Sequence, residues 1–316
     1  DYMSYRGFYF PLKDLPFAKV QDVDALIGEL NSPKEYDDAQ DFFNGMFADV
    51  DEVSSLLGDV DACVGRVSLP VRGVREEVMS FVQNMGITVS SFLNAVFAYT
   101  YSRFTGGDRV YYTFTEHGRH DFYCQDSVGM FVRTIPVLID CGNRNVRDYL
   151  ADASDLILDA MSNSFYPFRL LARDFDLSND VTFEYNYDLN DVSGIQDDGV
   201  VFSDGADRVF ELLCVVNDWD DGFVVSLSHL DKISQDTAER FVKVFREVLV
   251  QFLDNDCLGD IDYVSDEDVL LLDEINETEH DLCYGDVLEA FNSNLSKCPD
   301  NALVSYNGRV YSYGEG

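Results

Sequence analysis

The stretch Val89–Phe104, V-S-S-F-L-N-A-V-F-A-Y-T-Y-S-R-F, constrains this chain more than any other. Apolar side chains fall on most sides of the helix it would form, and a helix of that kind is stable when buried. Thr88 can cap its first turn, and Gly106-Gly107 stop it. The rest of the fold must therefore be built around this segment.

The sequence offers strands and amphipathic helices to do so. Arg109–Thr115, Phe131–Ile139 and Val181–Tyr187 are rich in β-branched and aromatic residues and read as strands. Phe210–Val216 and Phe223–Leu230 read as a strand pair, joined by a loop of turn-forming residues, Asn217–Gly222, around the single Trp. Val146, Tyr149, Leu150, Ala153, Ile157 and Met161 recur at helical spacing and predict a helix over 146–162. A second amphipathic helix is predicted over 235–253, started by Ser234 or Thr237. Nearer the start, Gly7–Phe10 looks like a strand, Tyr36–Leu57 has acidic helical character, and Val67–Pro70 is extended because proline disfavours helix before it. Strands and helices mix without strict βαβ alternation. No G-x-G-x-x-G or P-loop supports nucleotide binding by those routes.

Charge excludes several classes of partner. The formal net charge is −37, from 59 acidic and 22 basic residues. Nucleic acid needs clustered Lys and Arg to meet its phosphates, and anionic membranes need the same. A solvated acidic surface shared with the host proteome accounts for the balance; a salt-adapted host is the alternative. Hydrophobic residues make up 46%, enough for a real core, and no apolar run approaches the length of a bilayer. No secretory signal is visible at the start, which also lacks an initiator Met.

Seven cysteines are scattered without a C-x-x-C pair, which points to reduced thiols in a cytoplasmic protein. His117 and His120 form an H-x-x-H with no second pair nearby, so no metal site is expected. His229 lies in an alternating strand and reads as a core or face residue.

The chain ends on a separate beginning. Ser265-x-x-Asp268 resembles a capping box for a short helix through Leu272, and a further helix covers 285–295. Leu303–Tyr313 then places Asn307-Gly308 between two apolar-rich arms, a strong hairpin signal because both residues tolerate positive φ. A hairpin at the very end of a chain has little to pack on, so the chain is expected to be a piece of something longer.

Five short signals occur in order. They are Gly118-Arg119 with Val128-Gly129-Met130-Phe131-Val132-Arg133-Thr134, then Tyr166-Pro167-Phe168, then Asn276-Glu277-Thr278, then Pro299-Asp300-Asn301-Ala302, and last Tyr311–Glu315. In this order they resemble the later part of a non-ribosomal peptide synthetase condensation domain running into the start of an adenylation domain. Arg133 stands where the V-G-x-F-V-N-T pattern of the family usually has Asn, which puts an Asn-specific hydrogen bond in doubt and bears on donor selectivity.

The resemblance implies an α/β, two-layer, chloramphenicol acetyltransferase-like lobe with a mixed sheet and packed helices. It implies four parts: 1–70 the remainder of the N-terminal lobe, 71–262 the C-terminal lobe, 263–281 a linker, and 282–316 the truncated start of an adenylation domain. In such domains an acceptor amine attacks a donor thioester near an H-H-x-x-x-D-G motif, whose histidine orients the amine, takes its proton or stabilises the tetrahedral state. The four histidines here include no His-His pair. No catalytic residue is therefore expected on this chain. The substrate-channel candidates are Arg119, Gly129, Phe131, Arg133, Thr134 and Tyr166. No cofactor or metal is expected to bind directly; phosphopantetheine would arrive on carrier domains bearing peptidyl or aminoacyl groups, with an adenylation domain in cis. A non-catalytic docking module of the same fold is the alternative. A stand-alone acyltransferase is a third reading, against which the tail from residue 281 argues.

Overall fold

The structure is a computed structural model that describes residues 19–20, 32–48, 55–56, 58–118, 127–128, 131–187, 201–203, 210–219, 221–278 and 284–315. In chain order the first unit contains β1 (Lys19–Val20), α1 (Pro33–Phe47), β2 (Gly65–Val71), α2 (Arg75–Met85), α3 (Val89–Thr105), β3 (Arg109–Glu116), β4 (Ser127–Val128) and β5 (Arg133–Asp140). It continues through α4 (Val146–Ser162), α5 (Phe168–Phe175), β6 (Val181–Asn186), β7 (Val201–Ser203), β8 (Leu212–Trp219), β9 (Gly222–His229) and α6 (Gln235–Asp254). Compactness divides the chain after Tyr263, leaving Val264–Gly316 as a second unit. The predicted strand at Gly7–Phe10 lies outside the described residues.

Seven strands form one sheet in the order β5-β3-β6-β8-β9-β2-β7. The pairs β3–β6 and β6–β8 are parallel and the others antiparallel, so the sheet is mixed as expected. The buried helix α3 packs on α4, α6, β3 and β6, and α6 packs on β2 and β9. Phe97 stands at the centre of this layer: its ring lies 4.9 Å from that of Tyr112 on β3, 5.2 Å from Phe183 on β6 and 6.0 Å from Phe241 on α6. Polar groups inside the core are bonded across elements. Tyr149 donates to the Ala95 carbonyl at 2.7 Å and Tyr99 to that of Leu258 at 2.8 Å. Burial pushes the Tyr99 phenol up to about 12, so it stays a donor throughout the neutral range. The opposite face is covered beside β3 and β5, where Phe47 of α1 meets Tyr111 and Phe175 of α5.

Local signals explain most boundaries. Thr88 accepts from the Ser91 backbone N–H as the cap of α3, and Asn145 accepts from Arg147 and Asp148 as the cap of α4. The helix read from Tyr36 begins earlier, at Pro33, because Ser32 and Glu35 form a capping box with proline in the first turn; it runs to Phe47, and residues 49–54 and 57 of that reading lie outside the described residues. The strand read from Phe131 begins at Arg133. The loop read over Asn217–Gly222 is mostly ladder: β8 continues to Trp219, which pairs with Gly222. Turn-forming side chains stay in this strand because they find partners there. Asn217 accepts from Asn186 at 3.1 Å, and Asp218 accepts from Tyr185 and Arg75 at 2.8 Å each.

His229 ends β9 fully buried, with Nδ1 3.4 Å from the Leu230 carbonyl oxygen. It is a core residue, as its alternating strand implied. Desolvation holds its pKa below the ordinary 6.5, outweighing the backbone hydrogen bonds of Leu230 and Cys63 that raise it. The unfolded chain therefore takes up this proton at a higher pH than the folded one. Stability falls as pH drops through 6.5 and levels off beneath the folded-state value; above 6.5 the ring is neutral in both states and adds no slope. His229→Gln is expected to remove up to about 1.4 kcal/mol per pH unit of that acid-side slope. Thermal midpoints taken from pH 8 to 5.5 check this, and identical slopes in the two proteins would refute it.

In the second unit, α7 (Asp266–Asn276) is capped by Ser265, which accepts from the Asp268 N–H at 3.1 Å, and extends one turn beyond the predicted Leu272. Helix α8 (Val287–Lys297) is capped by Asp286. A hairpin follows, β10 (Ala302–Tyr306) and β11 (Arg309–Ser312). Its turn residues have φ of 48° at Asn307 and 76° at Gly308, the positive pair the Asn-Gly signal predicts. The Tyr313 N–H donates to the Asn301 carbonyl at 3.0 Å and the Gly314 N–H to that of Pro299 at 2.8 Å, so the last two sequence signals meet in space.

Candidate functional site

Strand directions bring the informative residues to one end of the sheet. Strands β3, β6 and β8 finish there, and β5 and β9 begin there. The β3–β5 ladder pairs Glu116 with Arg133 and Thr115 with Thr134. The register that sets Phe114 against Phe183 carries Glu116 and Tyr185 to the same level. Strand alternation puts Arg133, Glu116 and Tyr185 on the face that carries Tyr112, Val137 and Phe183 against the helices, and Thr134 on the other. Asp218 lies one step further along β8 on the helix-covered face.

This edge is a row of polar groups closing an apolar layer. Glu116 is 7% exposed, with His117 Nδ1 3.7 Å from its Oε1. Arg133 donates from Nη1 to Ser164 Oγ at 2.9 Å. That bond joins the segment around Phe131–Thr134 to the turn that carries Tyr166 and Pro167. Asp218 bridges Arg75 Nη2 and the Tyr185 hydroxyl. Burial, reinforced by the Asp218 hydrogen bond, pushes the Tyr185 phenol well up, so it stays protonated and donating. The same bond raises the Arg75 guanidinium. Gly118 closes the strand end: its φ is +66°, and a Cβ there would lie 1.8 Å from the Phe131 carbonyl oxygen.

Of the six predicted channel residues, Arg119 and Gly129 lie outside the described residues. Phe131 is buried, and Arg133 and Thr134 are half-buried on opposite faces of β5. Tyr166 is 8% exposed, its ring 6.4 Å from those of both Tyr36 and Phe43 on α1, and desolvation raises its phenol. The structure thus brings Arg133 to the Tyr166 turn through Ser164. Sequence reasoning did not single out Glu116, Tyr185, Asp218 or Arg75. They come from four separate segments: strand register aligns the first three, and Arg75 joins them from the start of α2. Among the described residues no cluster of three or more His, Cys, Asp or Glu could hold a metal, and the described cysteines are free thiols. No single described helix is long and apolar enough to cross a membrane.

The mixed sheet, its helical layer and this polar edge define an α/β protein of the chloramphenicol acetyltransferase-like condensation fold. The condensation-domain profile matches residues 36–269, and the chain belongs to that family. The chain is similar to surfactin synthase subunit 1 of Bacillus subtilis (strain 168), 23% identical over 332 residues, covering 96% of this chain and 9% of the relative. It is also similar to gramicidin S synthase 2 of Brevibacillus brevis, 22% identical over 256 residues, covering 76% of this chain and 6% of the relative. It therefore spans less than a tenth of the length of either synthase. Among solved structures, a holo four-domain nonribosomal peptide synthetase bound to AMP and glycine superposes on 100% of this chain and 27% of its own, with a TM-score of 0.69 and 14% identity. The first condensation domain of the calcium-dependent antibiotic synthetase, in complex with a substrate analogue, covers 82% of this chain and 61% of its own, with a TM-score of 0.60 and 18% identity.

Proposed function

We propose that this chain supplies the C-terminal lobe of a condensation domain that joins carrier-bound aminoacyl or peptidyl thioesters. In the reaction the acceptor amine attacks the donor thioester carbonyl. The C–N bond forms, the C–S bond breaks, and the proton lost by the amine balances the departing thiolate. The observation that carries the reading is the Arg133–Ser164 bond at the polar end of the sheet, which unites two of the family's sequence signals in a chain whose residues 36–269 match the condensation domain. Phe131, Arg133, Thr134 and Tyr166 border the substrate channel; Arg119 and Gly129, which lie outside the described residues, are its other candidates. Phosphopantetheine comes in on partner carrier domains, in the cytoplasm.

Residues 1–70 carry the remainder of the preceding lobe and, through Gly65–Val71, lend a strand to the sheet of this one, 71–262; 263–281 are a linker, and 282–316 open an adenylation domain in cis. Similarity that runs past residue 269 to cover the whole chain in a four-domain synthetase supports the last assignment. So does the pairing of Pro299-Asp300-Asn301 with Tyr313-Gly314.

Reconstitution tests the proposal. The open reading frame to which this chain belongs is expressed with loaded donor and acceptor carrier domains, and amide product is read by mass spectrometry. Product is expected from the frame that carries H-H-x-x-x-D-G and none from the 316-residue chain alone. Amide formation by the chain alone would overturn the assignment of roles, and its absence from the whole frame would overturn the activity.

A further inference from the structure

We infer that Arg133 is a specificity-determining residue that recognises an anionic oxygen group on the incoming thioester, either a carboxylate on the acyl residue or the phosphate of the pantetheine arm. The inference rests on the channel reading above. The Arg133 guanidinium is held on one side and open on another. Nη1 is committed to Ser164 Oγ at 2.9 Å, which fixes the rotamer. Nε is buried and has no hydrogen-bond partner among the described residues. Arginine stays charged at all accessible pH and presents its donors as a rigid fork, so a buried N–H in that fork favours an acceptor. Carboxylate and phosphate oxygens match the fork in geometry and charge.

The surroundings keep the fork in place. Arg133 is the first residue of β5, pinned by its ladder pair Glu116. Gly118, whose missing Cβ leaves room against the Phe131 carbonyl, also sits close enough to Arg133 Nε that a Cβ would touch it at 3.4 Å. The buried Glu116 carboxylate on the same face favours a cation there and keeps the local field near neutral. That matters in a chain of net charge −37, which repels anions at long range. Recognition of an anion must then be short-range and directional, as a fixed guanidinium provides.

Calorimetric titration of the full chain with four matched ligands tests the inference: N-acetyl-aspartyl and N-acetyl-asparaginyl thioesters, each on pantetheine and on phosphopantetheine. At least tenfold tighter binding is expected for the anionic member of one pair. The aspartyl–asparaginyl pair identifies an acyl carboxylate, and the phosphorylated–unphosphorylated pair identifies the arm's phosphate. Arg133→Gln is expected to weaken the anionic ligand at least tenfold more than its neutral partner, so that the preference is lost. Arg133→Lys keeps part of it, because a point charge lacks the fork. Equal weakening of charged and neutral ligands by Arg133→Gln would show a structural role and overturn the inference. Should that variant not fold, Ser164→Ala, which releases Nη1, must reduce the preference. Equal affinity of the wild-type chain for all four ligands overturns the arginine's role and leaves the channel standing. Failure to bind any pantetheine ligand, with Arg133-dependent binding of succinate, overturns the channel and keeps the anion site. No binding to either class overturns both.

Discussion

Replacing Phe97 with Ala is expected to remove about 3–5 kcal/mol of stability, the range for truncating a buried aromatic. This is a large share of the 5–15 kcal/mol that holds a typical domain together. The cost should fall at the upper end for a structural reason. Phe97 is fully buried and its ring meets β3, β6 and α6 at once, besides stacking on Tyr101 within its own helix. No one of those neighbours can collapse into the space without leaving another. Tyr112, moreover, is held in place because its hydroxyl donates to Asn94 at 3.2 Å. Denaturant titration monitored by far-ultraviolet circular dichroism checks the figure. A loss under about 1.5 kcal/mol, the scale of a tolerated volume-conserving swap, would mean that the layer repacks and that Phe97 is not its centre.

Gly118→Ala is the second large effect, and it falls on the candidate site. Left-handed φ alone costs an alanine roughly 1–2 kcal/mol. The added Cβ would also need to sit 1.8 Å from a backbone oxygen, which no side-chain rotation relieves. Either the turn after β3 or the approach to β5 must move, and the Glu116–Arg133 end of the ladder should open first. Gly106→Ala is the matched control: φ there is +72°, and a Cβ meets nothing within 4 Å. Gly118→Ala is expected to be the more destabilising by well over 1 kcal/mol, with faster amide exchange at Glu116 and Ile135. Equal losses in the two variants would show that the close approach to Phe131 exerts no constraint.

Much of the architecture could be read from particular residues. The buried helix ends at Thr105 beside its predicted limit, because Thr88 and Gly106 act at its two ends as their chemistry suggests. The helix over 146–162 and the Asn307-Gly308 turn follow the same local logic. Helix α2 was not legible. It buries only Val78 and Val82 and has no side-chain cap, so periodicity was faint. The Ser32-Pro33-Lys34-Glu35 start of α1 was a readable capping box that apolar periodicity alone passed over.

The site divides in the same way. Phe131, Arg133 and Tyr166 stand within short sequence signals. Strand register aligns Glu116, Tyr185 and Asp218, and Arg75 reaches Asp218 from the start of helix α2 across 143 residues of sequence, which no local pattern encodes. Asp218 was masked further by its type: an Asp beside Asn and Trp reads as a turn until a tyrosine and an arginine are found holding its carboxylate.

The place of β2 in the sheet sets an order of assembly during synthesis. Its neighbours are β9 and β7, and Ser68 and Ser226, whose hydroxyls meet across the pairing, are 158 residues apart. At about 5–20 residues per second, a ribosome leaves this apolar strand waiting roughly 8–30 s for its main partner. The hairpin-like β3–β5 pair and the helix before it emerge and can meet in the meantime. Among the described residues, the first strand of the seven-stranded sheet to be made is then its late closing piece, and it needs protection on the nascent chain.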